Sequence, residues 1–233
     1  MKKLLLVLLF LPLVCFGQSA EEFFNRGVSK ENLKDYYGAI ADYTKAIELD
    51  PDYTDAYVNR GNAKRNLKDY YGAIADYTKA IELNPDDADA YFNRGNSKYD
   101  LEDYKGAIAD YTKAIELDPD YTDAYFFRAY AKKKQNDEYG AIADSTKAIE
   151  LKPDAADAYI NRGVSKKNLK DYKGAIADYT KAIELDPDNA GAYYNRGISK
   201  YILGDKNGAC ADVRKAVSLG YSDYQNFIRN ECN

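Results

Sequence analysis

The stretch Gly-Ala-Ile-Ala-Asp-Tyr-Thr-Lys-Ala-Ile-Glu-Leu-Asp-Pro, residues 38–51, decides how this chain folds because it recurs along the sequence. It returns unchanged at 106–119 and 174–187, with one change at 72–85 and with two changes at 140–153. A second string, Asn-Arg-Gly, begins at residues 25, 59, 93, 161 and 195. All of these recurrences are separated by 34 residues or a multiple of 34. A fixed period of this length indicates a tandem array of small structural units.

Six units of 34 residues account for most of the chain. We number them 1 to 6, and they occupy residues 20–53, 54–87, 88–121, 122–155, 156–189 and 190–223. Residues 18–19 form a short N-terminal stub. Residues 224–233 carry an amphipathic pattern that predicts a C-terminal capping helix, since the last unit of an array needs a cover with a polar outer face.

Each unit is predicted to form two helices. In unit 2, Tyr57, Gly61 and Leu67 mark one face of a first helix. Asp69 is a favourable N-cap for a second helix, and Pro85 ends it. One helix pair of this size cannot bury its apolar face alone, so neighbouring units must stack. The pattern therefore predicts an all-α fold.

The units resemble tetratricopeptide repeats (TPRs) over residues 20–223. The characteristic positions 4, 8, 20, 24, 27 and 32 of unit 3 hold Tyr91, Gly95, Ala107, Tyr111, Ala114 and Pro119. The resemblance implies a right-handed superhelical solenoid of helix-turn-helix repeats, with the first helices lining a concave groove and the second helices on the convex side. It also implies a protein that binds peptides or proteins and does not catalyse.

Three charged positions depart from the family pattern in every unit. Arg stands at position 7, Lys at position 11 and Asp at position 23. Positions 7 and 23 face each other across the two helices, so we expect a structural ion pair in each unit. The predicted pairs are Arg26–Asp42, Arg60–Asp76, Arg94–Asp110, Arg128–Asp144, Arg162–Asp178 and Arg196–Asp212.

A row of asparagines at position 6 is the first candidate for ligand binding. A carboxamide both donates and accepts hydrogen bonds, which suits an extended peptide backbone. The alternative is that each Asn bonds a neighbouring helix. The row comprises Asn25, Asn59, Asn93, Asn161 and Asn195.

Aromatic and basic residues are the second candidate, because copies of the unit differ most at these positions. Unit 4 diverges furthest and is either a recognition point or a drifted repeat. Basic groups in the groove suit an acidic ligand or a C-terminal carboxylate, although solvated lysines explain them equally well. The candidate residues are Arg65, Phe92, Tyr99, Phe126, Phe127, Tyr130, Lys133, Lys167, Tyr194 and Tyr201.

The composition argues against several classes of function. The chain contains no His, so it has no Ser-His-Asp triad and no imidazole-ligated metal. Its formal net charge of −5 argues against nucleic acid as a partner. No polar group departs from the repeat in a catalytic arrangement. We expect no catalytic residues, no metal and no cofactor.

Residues 1–17 are predicted to be a secretory signal peptide. Lys2 and Lys3 precede an apolar run, and Gly17 ends it with a small residue. Lipid attachment at Cys15 is disfavoured because bulky Val14 precedes it. We therefore expect an exported protein, periplasmic or secreted, without membrane insertion after cleavage.

Export leaves two cysteines in an oxidising compartment. Cys210 and Cys232 each lie 11 residues from Tyr221, which places them at the same level of a helix hairpin. We expect a disulfide between them, and two unpaired buried thiols are the alternative.

The sequence thus predicts an exported, non-catalytic scaffold that binds an extended protein or peptide segment in its groove. One alternative is a structural protein that self-associates through repeat faces, a homo-oligomer in place of the expected monomer. A minor alternative is a groove that binds glycans.

Overall fold

The computed structural model describes residues 18–221 and Cys232. Within this part of the chain all regular structure is helical, and each unit contributes a first helix and a second helix. The helices are α1 (Ala20–Asn32), α2 (Tyr36–Leu49), α3 (Thr54–Asn66), α4 (Tyr70–Leu83), α5 (Ala88–Asp100), α6 (Tyr104–Leu117), α7 (Thr122–Lys134), α8 (Glu138–Leu151), α9 (Ala156–Asn168), α10 (Tyr172–Leu185), α11 (Ala190–Ile202) and α12 (Lys206–Ser218).

The second helices all begin in the same way. An Asp side chain accepts a hydrogen bond from the backbone N–H of a Gly three residues later, which satisfies one of the free donors at the helix start. The prediction that Asp69 caps the second helix of unit 2 is confirmed. The six capping residues are Asp35, Asp69, Asp103, Asp137, Asp171 and Asp205.

The turn between the two helices of a unit requires a left-handed backbone at position 15. Lys68 has φ 63° and Glu102 has φ 62°, values that side chains with a Cβ adopt at a cost. Unit 6 has Gly204 at this position, with φ 88°. The same turn is therefore built with and without strain in different units.

The first helices lie on the inner side of the array. Successive first helices approach each other closely, from α1 and α3 through to α9 and α11. Across the described residues, successive second helices make no comparable approach. A stack whose first helices are closer together than its second helices curves toward the first helices. The predicted all-α solenoid is confirmed, with the first helices facing the groove.

Alanine and tyrosine build the core. Tyr43, Tyr77, Tyr111 and Tyr179, all at position 24, are fully buried. The aromatic residues at positions 4 and 17 are only half-buried, so these positions contribute less to the core than the sequence suggested. Leu33, at position 14, is 81% exposed. Position 14 follows the last residue of the first helix and is not a core position.

Two predicted segments, the signal peptide (1–17) and the capping helix (224–233), fall outside the described residues apart from Cys232. Cys232 is disulfide-bonded to Cys210, with a Cα–Cα distance of 5.5 Å. Its backbone carbonyl also accepts a hydrogen bond from Arg214 at 2.8 Å. None of the helices within residues 18–221 has the length and apolar character needed to cross a bilayer.

Candidate functional site

A buried carboxylate at position 23 joins the two helices of every unit. In unit 3, Arg94 donates to both oxygens of Asp110, at 3.0 and 2.8 Å, and Lys98 Nζ lies 2.7 Å from Asp110 Oδ2. The Asp110 side chain is 6% exposed. The sequence pointed to the Arg–Asp pair but not to Lys98 as the third member. The same three-residue ion cluster occurs in all six units, with lysines Lys30, Lys64, Lys98, Lys132, Lys166 and Lys200.

In units 2 to 6 the arginine of the cluster also bonds the preceding unit. Arg94 Nη1 donates to Thr78 Oγ1 of unit 2 at 3.2 Å, and its guanidinium lies over the Tyr91 ring at 5.5 Å from the centroid. In unit 1, hydrogen bonding to Arg26 and then to Lys30 lowers the pKa of Asp42 although burial opposes the shift. The hydrogen-bonding groups of these arginines and aspartates are used within the protein. We therefore interpret the arginines and aspartates as structural and not as ligand-binding groups.

A cleft of about 560 Å³ lies on the inner surface of units 1–3, and we call it the polar cleft. Arg65 donates to Asp100 across it at 3.0 Å. Asn62 accepts a hydrogen bond from the Tyr77 hydroxyl at 2.7 Å. The side chain of Asn93 also lines the cleft and has no hydrogen-bond partner among the described residues. The lining residues are Glu31, Asn62, Arg65, Asn66, Lys68, Tyr70, Asn93 and Asp100.

The predicted asparagine row does not behave uniformly. Asn161 is only 1% exposed; its Oδ1 accepts from Lys133 at 2.6 Å and its Nδ2 donates to Ser145 at 3.0 Å. For Asn161 the structure corrects the expected ligand role, because this amide is fully used inside the protein. The side chains of Asn25, Asn59 and Asn93 make no hydrogen bond within the described part of the chain.

Asn195 is occupied in the same manner as Asn161. It accepts from Lys167 at 2.8 Å and donates to the Gly191 carbonyl at 2.9 Å. Burial lowers the pKa of both Lys133 and Lys167. The two lysines are half-buried and each is bonded to an asparagine of the next unit, so neither is the fully solvated side chain that one interpretation of the sequence assumed.

A second, apolar cavity of about 230 Å³ is lined by Tyr99, Phe126, Phe127 and Tyr130, and we call it the aromatic pocket. Phe126 meets Phe127 edge-on at 5.5 Å between centroids and Tyr130 at 5.0 Å. The ammonium group of Lys133 lies 4.8 Å from the centroid of the Tyr130 ring. Burial raises the pKa of Tyr130. Four of the predicted aromatic residues thus come together in one place.

The other predicted aromatic residues lie around this pocket or at the far end of the groove. Phe92 contacts Phe127 at 5.6 Å between centroids and belongs to the packing behind the pocket. Tyr194 stacks on Tyr221 at 5.0 Å. Tyr201 is 37% exposed. Neither Tyr194 nor Tyr201 lines the two cavities described above.

Profiles described as "Tetratricopeptide repeat" match residues 20–53, 88–121 and 156–189, residues 42–75 and 178–211, and residues 122–155. A profile described as "TPR repeat" matches residues 61–101. Together these matches cover the chain from residue 20 to residue 211. The chain belongs to the tetratricopeptide repeat family.

Several solved structures have similar folds. MamA is 26% identical with a TM-score of 0.67, and the match covers 70% of this chain and 96% of that chain. YrrB, described as a TPR protein with an unusual peptide-binding site, is 26% identical with a TM-score of 0.68, over 78% of this chain and 93% of that one. PilF of Pseudomonas aeruginosa is 17% identical with a TM-score of 0.76, over 90% and 96%, and supports the fold alone.

None of the curated proteins compared with this TPR chain matches it. The family and the MamA and YrrB structures indicate a protein–protein interaction scaffold. No enzyme family is indicated.

Proposed function

We propose that this protein is a non-catalytic scaffold that holds an extended segment of a partner protein in its concave groove. The observation that carries the proposal is the arrangement of the polar cleft and the aromatic pocket. Helix α5 contributes Asn93 and Asp100 to the cleft and Tyr99 to the pocket. A segment that crosses α5 can therefore place backbone amides against the first cavity and an apolar side chain in the second.

The pairing of position 12 with position 6 of the next unit supports this assignment. Between units 4 and 5, and again between units 5 and 6, a lysine at position 12 donates to an asparagine at position 6. Between units 3 and 4 both positions are aromatic, Tyr99 and Phe127, and they enclose an apolar space instead of closing on each other. This junction departs from its neighbours in the way expected of a binding pocket.

Free amides supply the complementary polar contacts. Asn59 and Asn93 are half-buried on first helices, and each can donate one hydrogen bond to a peptide carbonyl and accept one from a peptide N–H. The peptide-binding site in the description of YrrB fits such a role in this family. The lysines of units 4 and 5 are excluded from the proposed contacts because Asn161 and Asn195 already occupy them.

Site-specific photo-crosslinking tests the proposal. A photoreactive phenylalanine at Tyr130, in the aromatic pocket, is expected to capture a partner segment. The matched control places the same residue at Tyr139, which is 76% exposed on the second helix of the same unit. Asn93→Ala should weaken capture from position 130. Equal capture from positions 130 and 139, or capture that survives Asn59→Ala with Asn93→Ala, would contradict a groove-bound partner.

Export is a separate part of the proposal. The signal-like segment 1–17 and the Cys210–Cys232 disulfide both suit an oxidising compartment. N-terminal sequencing of the protein purified from its native host should begin at Gln18. Recovery of the intact N-terminus from the cytoplasm would contradict export.

Self-association is a second candidate function, and one feature of unit 1 favours it. Leu33 is 81% exposed and Tyr37 is 76% exposed, whereas Leu67 and Leu101, at the position of Leu33, are half-buried. Isolated exposed apolar residues are common, but two that lie four residues apart in the chain suggest contact with another protein surface. Sedimentation velocity over a range of concentrations decides: oligomers that disappear in Leu33→Ser with Tyr37→Ser would favour assembly.

A further inference from the structure

In three of the four units that have an aromatic residue at position 5, a tyrosine from the C-terminal end of the same unit covers it. Phe24 packs against Tyr53 and Phe92 against Tyr121, each at 4.9 Å between ring centroids. Tyr194 is stacked by Tyr221 at 5.0 Å. The fourth such residue is Phe126. Tyr53 and Tyr121 both stand at position 34, and unit 4 has Ala155 there.

A cavity of about 250 Å³ lies where the missing ring would be. We call it the Phe126 subsite; its lining includes Phe126, Ala155, Asp123, Lys152 and Asp157. Phe126 also lines the aromatic pocket, so the two cavities meet at this ring. The subsite therefore extends the proposed groove from the polar cleft and the aromatic pocket toward unit 5.

The covered units show which side chain the subsite fits. In unit 3 the Tyr121 ring lies on Phe92 while its hydroxyl donates to Asp89 Oδ1 at 2.6 Å. Asp89 stands at position 2, and the residue at position 2 of unit 4 is Asp123, which lines the subsite. Unit 4 thus retains the phenylalanine and the carboxylate of this arrangement and lacks only the tyrosine.

We propose that the Phe126 subsite binds a tyrosine side chain of the partner segment, with the ring on Phe126 and the hydroxyl donating to Asp123. The assignment rests on the proposed function of the groove and specifies one residue of its ligand. An offset or tilted aromatic pair at about 5 Å is favourable, and a hydrogen bond to a carboxylate is stronger than one to a neutral acceptor.

The charges around the subsite favour an unphosphorylated tyrosine over a phosphotyrosine. Among the described residues that line the cavity, Asp123, Asp157 and Asp186 are acidic and Lys152 is the one cation. A phosphate on the phenol oxygen would place roughly two negative charges close to Asp123, and the carboxylates of the cavity would repel them. A phenylalanine would fill the ring position but would leave Asp123 without the hydroxyl.

NMR titration with two small probes tests the tyrosine preference. N-acetyl-L-tyrosinamide should shift the backbone amide signals of Ala155, Ala156 and Asp157. It should bind about tenfold more tightly than N-acetyl-L-phenylalaninamide, the difference expected for one hydrogen bond to a charged group. In Asp123→Ala the two probes should bind about equally, since the aromatic contact remains and the acceptor is gone.

Two further variants use the covered unit as a matched control. Ala155→Tyr supplies the chain's own ring and should abolish probe binding. Tyr121→Ala removes the cover from Phe92 and Asp89 and should create a second site of similar affinity, seen as new shifts at residues 121–123. Ala155 shows that the chain accommodates alanine at this position, so the loss of fold is not expected.

The outcomes separate this inference from the proposed function. Binding to Ala155→Tyr with unchanged affinity would overturn the subsite, as would equal binding of both probes to the unaltered protein. If the unaltered protein self-associates and Ala155→Tyr does not, the subsite binds a second copy of this chain. That result would overturn the proposal that the tyrosine comes from a different protein. If no partner is captured from position 130 while the tyrosine probe still binds, the scaffold proposal is overturned. The Phe126 subsite would then remain as a cavity that binds tyrosine.

Discussion

Units 3 and 4 share a backbone but not a core. Helices α5 and α7 each have 13 residues, and α6 and α8 each have 14. The buried residues between them differ. In unit 3, Gly95 makes room for Tyr111, since a Cβ at Gly95 would lie 2.7 Å from Tyr111 Cε1. In unit 4, Ala129 and Ser145 take these two places and both are fully buried.

The difference shows that unit 4 has an alternative packing arrangement and has not simply lost core side chains. Ser145 frees the volume of a phenol ring; Ala129 fills part of it, and Asn161 of unit 5 enters and donates to Ser145. Ser145 therefore belongs to a packing arrangement that unit 3 does not have. Gln135 is exposed at the end of α7, so the loss of leucine there costs little. Glu138 is the weak point: its Oε1 accepts from Asn168, but its Oε2 is buried without a hydrogen bond.

The largest expected effect comes from giving unit 3 the buried residues of unit 4. Tyr111→Ser should lower the free energy of unfolding by about 3–5 kcal/mol, because it empties a buried site. It also removes the hydrogen bond from Tyr111 to Asn96. Gly95→Ala alone should cost about 1–3 kcal/mol through the clash with Tyr111. Urea unfolding followed by circular dichroism measures each loss.

The double variant is the decisive member of this series. The free energy of unfolding lost in Gly95→Ala with Tyr111→Ser should be smaller than the sum of the two single losses by about 0.5–3 kcal/mol. The reason is that Ala fits at position 95 only when the Tyr111 ring is absent. Strict additivity would mean that the alanine and serine of unit 4 are independent changes.

The ion cluster should be equally important in both units, since the repacking does not touch it. Asp110→Ala and Asp144→Ala should each cost about 3 kcal/mol, the low end expected for breaking a buried pair, because the cations remain partly exposed. The Arg94 and Arg128 side chains are 17% and 13% exposed. A loss below about 1 kcal/mol in unit 4 alone, of the size typical of exposed pairs, would show that its repacking extends to the cluster.

Alkaline pH should unfold the protein through the tyrosines that unit 4 lacks. Burial raises the pKa of Tyr43, Tyr77, Tyr111 and Tyr179. A raised folded-state pKa gives stability that is complete below the unfolded value near 10 and is lost as the pH rises toward the folded value. Each such tyrosine contributes a slope of about 1.4 kcal/mol per pH unit in this range.

A phenylalanine substitution isolates one of these groups. Tyr111→Phe keeps the ring and removes the ionisable hydroxyl group. The fall in the free energy of unfolding above pH 10 should therefore become shallower by about 1.4 kcal/mol per pH unit. Tyr139→Phe, at a side chain of unit 4 that is 76% exposed, is the matched control for loss of a hydroxyl. A similar change of slope in both variants would show that burial is not the cause.

The sequence predicted the repeated features well because they depend on local spacing. The 34-residue period, the Asp69 cap and the Pro-terminated second helices all follow from residues close in the chain. The Phe126 subsite could not be predicted in this way. It depends on Tyr121 folding back onto Phe92, a contact between residues 29 apart, and on Ala155 failing to do the same. Likewise, the burial of Asn161 depends on Ser145 of the preceding unit.

The smallest effect concerns the turn that both units share. Glu102 in unit 3 and Asn136 in unit 4 have φ of 62° and 60°. Glu102→Gly should stabilise the protein by up to about 1 kcal/mol, because relief of left-handed strain outweighs the added freedom of glycine in the unfolded chain. Asn136→Gly should change stability by only a few tenths of a kcal/mol, because Asn already tolerates this conformation. Thermal unfolding of the two variants measures the difference, and equal stabilisation would mean that Asn136 is as strained as Glu102. The units would then differ in their packing alone, with the same strain stored in the turn of each.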